Sequence, residues 1–193
     1  MSNSNPLLND WTNNYGLPPF DEIKAEHWEP AFDMAFTLHR HEVEAIADNK
    51  AEATFENTVA ALDRSGRLLA RVGGAFFNLV ASLGDDALQD IETRVAPRMA
   101  AHQNSLYLNH ALFGRIDALH AKRVSLGLKP VDKRLLERIH LDFVLAGAKL
   151  DAKAKEDYAR NTERQAELCT TFSQHVLGDE SEWIHVLSGP GDL

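Results

Sequence analysis

Apolar residues recur at helical spacing along most of this chain. Ala31, Met34, Ala35, Leu38, Val43 and Ile46 mark a first helix from about residue 29, with Pro30 in a first turn that tolerates proline. Thr54 offers an N-cap, because its hydroxyl can accept an otherwise orphaned backbone N–H. Phe55, Val59, Leu62, Leu69, Val72, Phe76, Val80 and Leu83 then repeat at steps of three, four or seven, which predicts one helix with a single buried stripe. Gly66, Gly73 and Gly74 fall inside it, each costing about 1 kcal/mol against Ala, so close approach of a neighbouring helix is the expected compensation.

Gly84, Asp85 and Asp86 stop that helix and cap the next, near 86–108, which carries Leu88, Ile91, Val95, Met99 and Leu106 and which Pro97 should kink or split. Asn109 starts a fourth helix through Leu112, Ile116 and Leu119, broken by Gly127 and Pro130. Leu135, Ile139, Phe143 and Leu150 mark a fifth; Tyr158, Leu168, Phe172 and Val176 mark a sixth, ended by Gly178. The expected fold is all-α, about six helices in an antiparallel array. Residues 1–23 form an extended lead-in around Pro6, Gly16, Pro18 and Pro19, and 24–178 form the helical domain. Residues 179–193 begin a truncated further element, in which Trp183-Ile184-His185-Val186-Leu187 reads as a short strand with no upstream partner.

Charge narrows the function. Twenty Lys plus Arg against 29 Asp plus Glu give −9, and no basic cluster offers a phosphate backbone a binding face. One cysteine, Cys169, excludes an internal disulfide; beside Leu168 and Phe172 it reads as a small buried thiol. The start, MSNSNPLLNDW, lacks the charged and apolar regions of a signal peptide, and no apolar run approaches the ~20 residues of a membrane span. A cytoplasmic location is expected.

Candidate chemistry is sparse. His41-Glu42-Val43-Glu44-Ala45 comes nearest to a zinc motif, but the second histidine position is Ala45, and His39 lies two residues from His41, on the opposite side of a helix. A charged, solvated helix face is the plain reading. Asp117-x-x-His120 and Glu137-x-x-His140 stand on consecutive helices, and acid-x-x-His pairs on facing helices build di-iron sites when other helices add glutamates, here Glu42, Glu56 or Glu92. Against that, the first acid is Asp, and His140 beside Ile139 and Phe143 reads equally well as a half-buried structural histidine. Ser65 and Ser82 lack a nucleophile elbow, and no glycine-rich phosphate loop precedes a helix. No catalytic, cofactor-binding or metal residue is assigned.

Asn5-Pro6-Leu7-Leu8, Leu17-Pro18-Pro19-Phe20-Asp21-Glu22-Ile23, His27, Pro30-Ala31-Phe32, Thr54-Phe55-Glu56-Asn57-Thr58 and Ala61-Leu62-Asp63-Arg64-Ser65-Gly66 occur in an order and spacing similar to the start of the thimet-oligopeptidase-like zinc metallopeptidases. Tyr107-Leu108-Asn109 and Leu112-Phe113-Gly114-Arg115-Ile116 extend the likeness. The 123–128 segment and Phe143-Val144-Leu145-Ala146-Gly147-Ala148-Lys149-Leu150 resemble the bacterial peptidyl-dipeptidase branch more than oligopeptidase A. The resemblance implies an amino-terminal, non-catalytic part of a much longer enzyme that removes dipeptides from the carboxyl ends of short peptides, with the substrate channel walled partly by these helices. It implies zinc in the parent, held on a His-Glu-x-x-His helix that these 193 residues lack, and no cofactor in this chain. The implied partners are the missing catalytic lobe and, through it, short peptides; alone, the chain is expected to be inactive and to self-associate. A stand-alone helical module that binds a peptide or helix, and the di-iron bundle, are the competing readings.

Overall fold

The structure, a computed structural model, describes residues 5–12, 15–83 and 86–182 together with 186, 189 and 191; of 181 and 182 it gives the backbone alone. Among them every regular element is a helix, as the periodicity predicts. The proposed strand at 183–187 lies outside the described residues apart from Val186. So do Gly84 and Asp85 of the expected stop.

Seven α-helices follow in order: α1 (Ala25–Ala47), α2 (Ala61–Arg64), α3 (Arg67–Leu83), α4 (Asp86–Tyr107), α5 (His110–Ala121), α6 (Pro130–Leu145) and α7 (Ala152–Glu182). The first begins earlier than Pro30 suggests. Lys24 N–H donates to His27 Nδ1 at 3.0 Å while His27 N–H returns to the Lys24 carbonyl, so the chain is capped a turn upstream and Pro30 stands inside the helix. The lead-in is also less loose than its prolines suggest. Pro6–Leu8 form a 3-10 turn, Leu7 is fully buried, and Asn5 Nδ2 donates to the His27 carbonyl at 2.7 Å.

The long helix expected over 55–83 is broken. Thr54 and Asn57 cap each other reciprocally and open a π-helical turn, Phe55–Ala60, which runs into α2. Ser65 is then extended and Gly66 takes φ +70°, a left-handed conformation in which glycine carries no Cβ penalty. Helix-period spacing runs on through the break although the two pieces serve different clusters: Leu62 of α2 packs, partly buried, with the cluster of Val59, Leu112 and Leu136, whereas Leu69, Val72 and Phe76 of α3 are buried in that of Trp28 and Phe32. Of the three glycines expected to admit a neighbouring helix, only Gly66 is closely approached, and by a side chain: a Cβ there would fall 2.9 Å from the His39 ring. At Gly73 the space is ordinary, and at Gly74 nothing lies within 4 Å.

Helix α4 runs unsplit through Pro97. Helix α6 starts with Pro130 at its first position and stops at Leu145, not at Leu150. Gly147, at φ +90°, reverses the chain, and Ala148 N–H closes back on the Phe143 carbonyl at 2.9 Å. Helix α7 continues through Gly178 to Glu182.

Two apolar cores result. The first joins Leu7 to Trp28, Phe32, Ala35 and Phe36 of α1, Leu69, Val72, Phe76 and Val80 of α3, and Leu88, Ile91 and Val95 of α4. Trp28 and Phe32 meet Phe76 edge-on, with centroids 5.1 and 5.3 Å apart; such ring pairs add about 0.5–1.5 kcal/mol each beyond their buried area. The second joins Val43 and Ile46 of α1 to Val59, to Leu112, Phe113, Ile116 and Leu119 of α5, and to Leu136 and Phe143 of α6. Between Phe36, the last α1 member of the first core, and Val43, the first of the second, α1 carries a polar stretch that includes His39. Helix α7 packs on α4 through polar contacts, Thr162 to Asn104 and Gln174 to the Gln89 carbonyl. None of its described side chains is fully buried. No described helix is long and apolar enough to cross a membrane.

Candidate functional site

The two acid-x-x-His pairs do meet. Helices α5 and α6 place His140 Nε2 2.8 Å from Asp117 Oδ1 and lay the His120 and His140 rings face to face, with centroids 3.7 Å apart and planes 3° from parallel. Phe113 stacks on His140 as well, at 5.7 Å. Burial lowers the His120 pKa from its ordinary value, and His140 and Arg123 lower it further. Glu137 is drawn aside, its carboxylate 3.7 Å from Arg123 and 4.0 Å from Arg134.

That arrangement suits a stacked structural pair. A metal binds an imidazole nitrogen within the ring plane, at about 2.0–2.1 Å for zinc. Two parallel rings 3.7 Å apart share no such point. The extra glutamates a di-iron site needs are engaged elsewhere: Glu42 accepts from Gly66 N–H, Glu56 pairs with Arg64, and Glu92 faces Gln174. Among the described residues no group of three or more His, Cys, Asp or Glu side chains is placed to hold a metal ion. At the near-zinc motif, Ala45 occupies the second ligand position and Glu42 is already bonded to the Gly66 backbone. The described residues therefore form no donor set for zinc. Cys169, expected to be buried, is exposed, at the edge of a cavity that α7 shares with Gln103 and Tyr107 of α4.

A second cluster, which the sequence reading missed, lies at the seam between the cores. His39 of α1 and His102 of α4 are bonded through Nδ1 and Nε2 at 2.9 Å. The other His39 nitrogen is 3.3 Å from Ser65 Oγ, and that hydroxyl donates to the Leu62 carbonyl at 2.7 Å. The donor order follows. With its own proton committed to Leu62, Ser65 accepts from His39 Nε2–H, which leaves His39 Nδ1 to accept from His102 Nε2–H. Ser65 is thus a hydrogen-bond relay whose proton points away from His39, the reverse of what a nucleophile requires. Burial, reinforced by His39 and Arg40, pushes the His102 pKa down to about 4. Burial also lowers that of His39, partly countered by Glu42.

A cavity of about 220 Å³ opens beside this relay, lined by His39, Leu62, Ser65, Tyr107, Asp142 and Phe143 among others. Tyr107 has a raised pKa, from burial and then from Asp142. No local sequence signal announces the cluster: His39 and His102 are 63 residues apart, and Ser65–Gly66 reads as helix interior until the break is seen.

No family model matches the chain. It is similar to a dipeptidyl carboxypeptidase of Salmonella typhimurium, 44% identical over 178 residues, covering 90% of this chain and 26% of the relative. A dipeptidyl carboxypeptidase of Escherichia coli is 42% identical over 181 residues, covering 92% and 26%. Oligopeptidase A of Haemophilus influenzae is 26% identical over 193 residues, covering 100% and 28%. The chain spans about a quarter of the length of the curated relatives it matches. It is thus similar to that quarter of the dipeptidyl carboxypeptidases and, at lower identity, to the corresponding part of oligopeptidase A.

Proposed function

We propose that this chain is the amino-terminal, non-catalytic helical part of a zinc-dependent peptidyl-dipeptidase, forming part of the wall of its peptide channel. The observation that carries the reading is the identity of 44% and 42% to two dipeptidyl carboxypeptidases across nearly the whole chain. The parent's zinc then lies outside these residues, whose sequence holds no His-Glu-x-x-His. Helix α7 supports the same reading: over 31 residues it covers α4 on one side, while Leu168, Phe172 and Val176 stand exposed at successive steps of four. In the parent a further part of the molecule covers that side.

The test is complementation. The chain alone should release no dipeptide from a blocked tripeptide or tetrapeptide in the presence of zinc. Added to the E. coli dipeptidyl carboxypeptidase polypeptide from which the homologous quarter has been removed, it should restore zinc-dependent release. Metal-dependent cleavage by the chain alone would overturn the assignment, as would failure to restore activity where the relative's own quarter succeeds.

A further inference from the structure

The cavity beside the relay presents more acceptors than donors. It is lined from four helices, with His39 from α1, Asp63 from α2, Tyr107 from α4 and Asp142 from α6. The donors of its relay side are committed: His39 Nε2–H goes to Ser65, and the Ser65 hydroxyl goes to the Leu62 carbonyl. Burial lowers the His39 pKa, so the ring stays neutral at pH 7. No Lys or Arg stands among the described residues that line the cavity.

The acceptors are open. The Asp63 carboxylate has no ion pair or hydrogen bond among the described residues. Asp142 is held by Arg138 Nε at 3.0 Å, from a guanidinium that is 64% exposed and does not line the cavity. The Tyr107 hydroxyl makes no hydrogen bond among the described residues, and the nearby Asp142 charge adds to burial in raising its pKa. With Arg138 set against Asp142, one net negative charge remains. Leu62, Leu106 and Ile139 are only partly buried against the second core and give the same cavity an apolar lining. Its volume of about 220 Å³ is below the roughly 300 Å³ of the smallest ordinary ligand pockets, which suits one long side chain rather than a whole ligand.

We infer that this cavity is a subsite for the lysine or arginine side chain of a peptide, with the alkyl stem on Leu62, Leu106 and Ile139 and the cationic end among Asp63, Asp142 and the Tyr107 oxygen. Long basic side chains lay their methylenes on apolar surface and keep the charge at a polar rim, which is the division this cavity offers. A carboxylate entering it would meet two like charges and one free donor, the Tyr107 O–H. A metal ion would find no third ligand among the described residues. The inference rests on the reading of these helices as channel wall, which brings peptides past the cavity, and adds to it a preference for basic residues.

The probes are acetyl-alanyl-lysyl-alanine and its norleucyl and glutamyl analogues, titrated into the full 193-residue chain and followed by amide ¹⁵N shifts. The lysyl peptide should bind about tenfold more tightly than the norleucyl one, the effect of one hydrogen bond to a charged group, and the glutamyl one more weakly than either. Shifts should concentrate at residues 62–65, 106–107 and 139–143. D63N combined with D142N should erase the preference, and Y107F, which leaves both carboxylates, should reduce it. E22Q combined with E26Q removes the same charge near the start of α1, remote from His39, and should keep it. In the enzyme restored by complementation, D63N with D142N should lower the ratio of norleucyl to lysyl KM about tenfold. Equal affinity for the lysyl and norleucyl peptides, a preference untouched by D63N with D142N or by Y107F, or one lost equally in E22Q with E26Q would overturn the subsite. So would an unchanged KM ratio, which would give the cavity to a basic side chain of the parent itself. Failure to restore activity would strike the channel reading alone, and binding by the isolated chain then decides the cavity.

Discussion

At the scale of single residues, glycines that look alike in the sequence have opposite roles. Gly66 sits in a left-handed break with an imidazole where its Cβ would be, whereas Gly74 is helical with open space around it. Gly66→Ala should therefore lower stability by about 1–3 kcal/mol, combining backbone strain with displacement of His39. Gly74→Ala should raise it, by up to about 1 kcal/mol, through helix propensity and a less flexible unfolded chain. Urea unfolding of the two variants checks both signs. The sequence placed the two glycines in one helix because apolar residues keep helical spacing on both sides of the break, and that spacing does not report that Val59 and Leu62 serve one core while Leu69 and Val72 serve the other.

At the scale of elements, short polar connections decide where helices begin and how they are oriented. Arg115 of α5 donates from Nη1 to the carbonyls of Asn49 and Ala51 and from Nη2 to Asn57 Oδ1, so one planar side chain pins the α1 exit to the π-helical turn. Arg115→Lys keeps the charge and loses the fork. It should cost about 1–3 kcal/mol and release amide protection first in residues 48–57, measured by hydrogen exchange. The caps at Thr54 and Asn109 were legible from residue type alone, because the hydroxyl or amide bonds its own backbone within three residues. The early start of α1 was not, because it rests on a histidine three residues inside the helix taking the capping role.

At the scale of the whole molecule, two consequences follow from burial. His39, His102 and His120 all have lowered pKa values in the fold, so the unfolded chain binds more protons than the folded one between about pH 6.5 and the folded values, which reach about 4 at His102. Stability is complete above pH 6.5 and should fall as pH drops through that window. Urea midpoints at pH 7.5, 5.5 and 4.5 should decline in that order, and a flat profile would show that burial does not govern these groups. The exposed stripe on α7 has a separate effect. Leu168 and Phe172 are 52% and 70% exposed. The isolated chain should self-associate with rising concentration, and Leu168→Gln with Phe172→Gln should shift light scattering toward the monomer.

The amino-acid sequence by itself determined the all-helical class, most of the buried positions and, through the order of its motifs, a resemblance to peptidases, since periodicity and local caps need only neighbours a few residues away. It also showed that no His-Glu-x-x-His helix lies in these residues. Only the tertiary structure decided that Ser65–Gly66 is a joint, that His120 and His140 stack in parallel, that Cys169 is exposed, and that His39 meets His102 at the seam. Each of those facts depends on the relative placement of helices dozens of residues apart, and side-chain type alone does not encode the distance or angle at which two such groups meet.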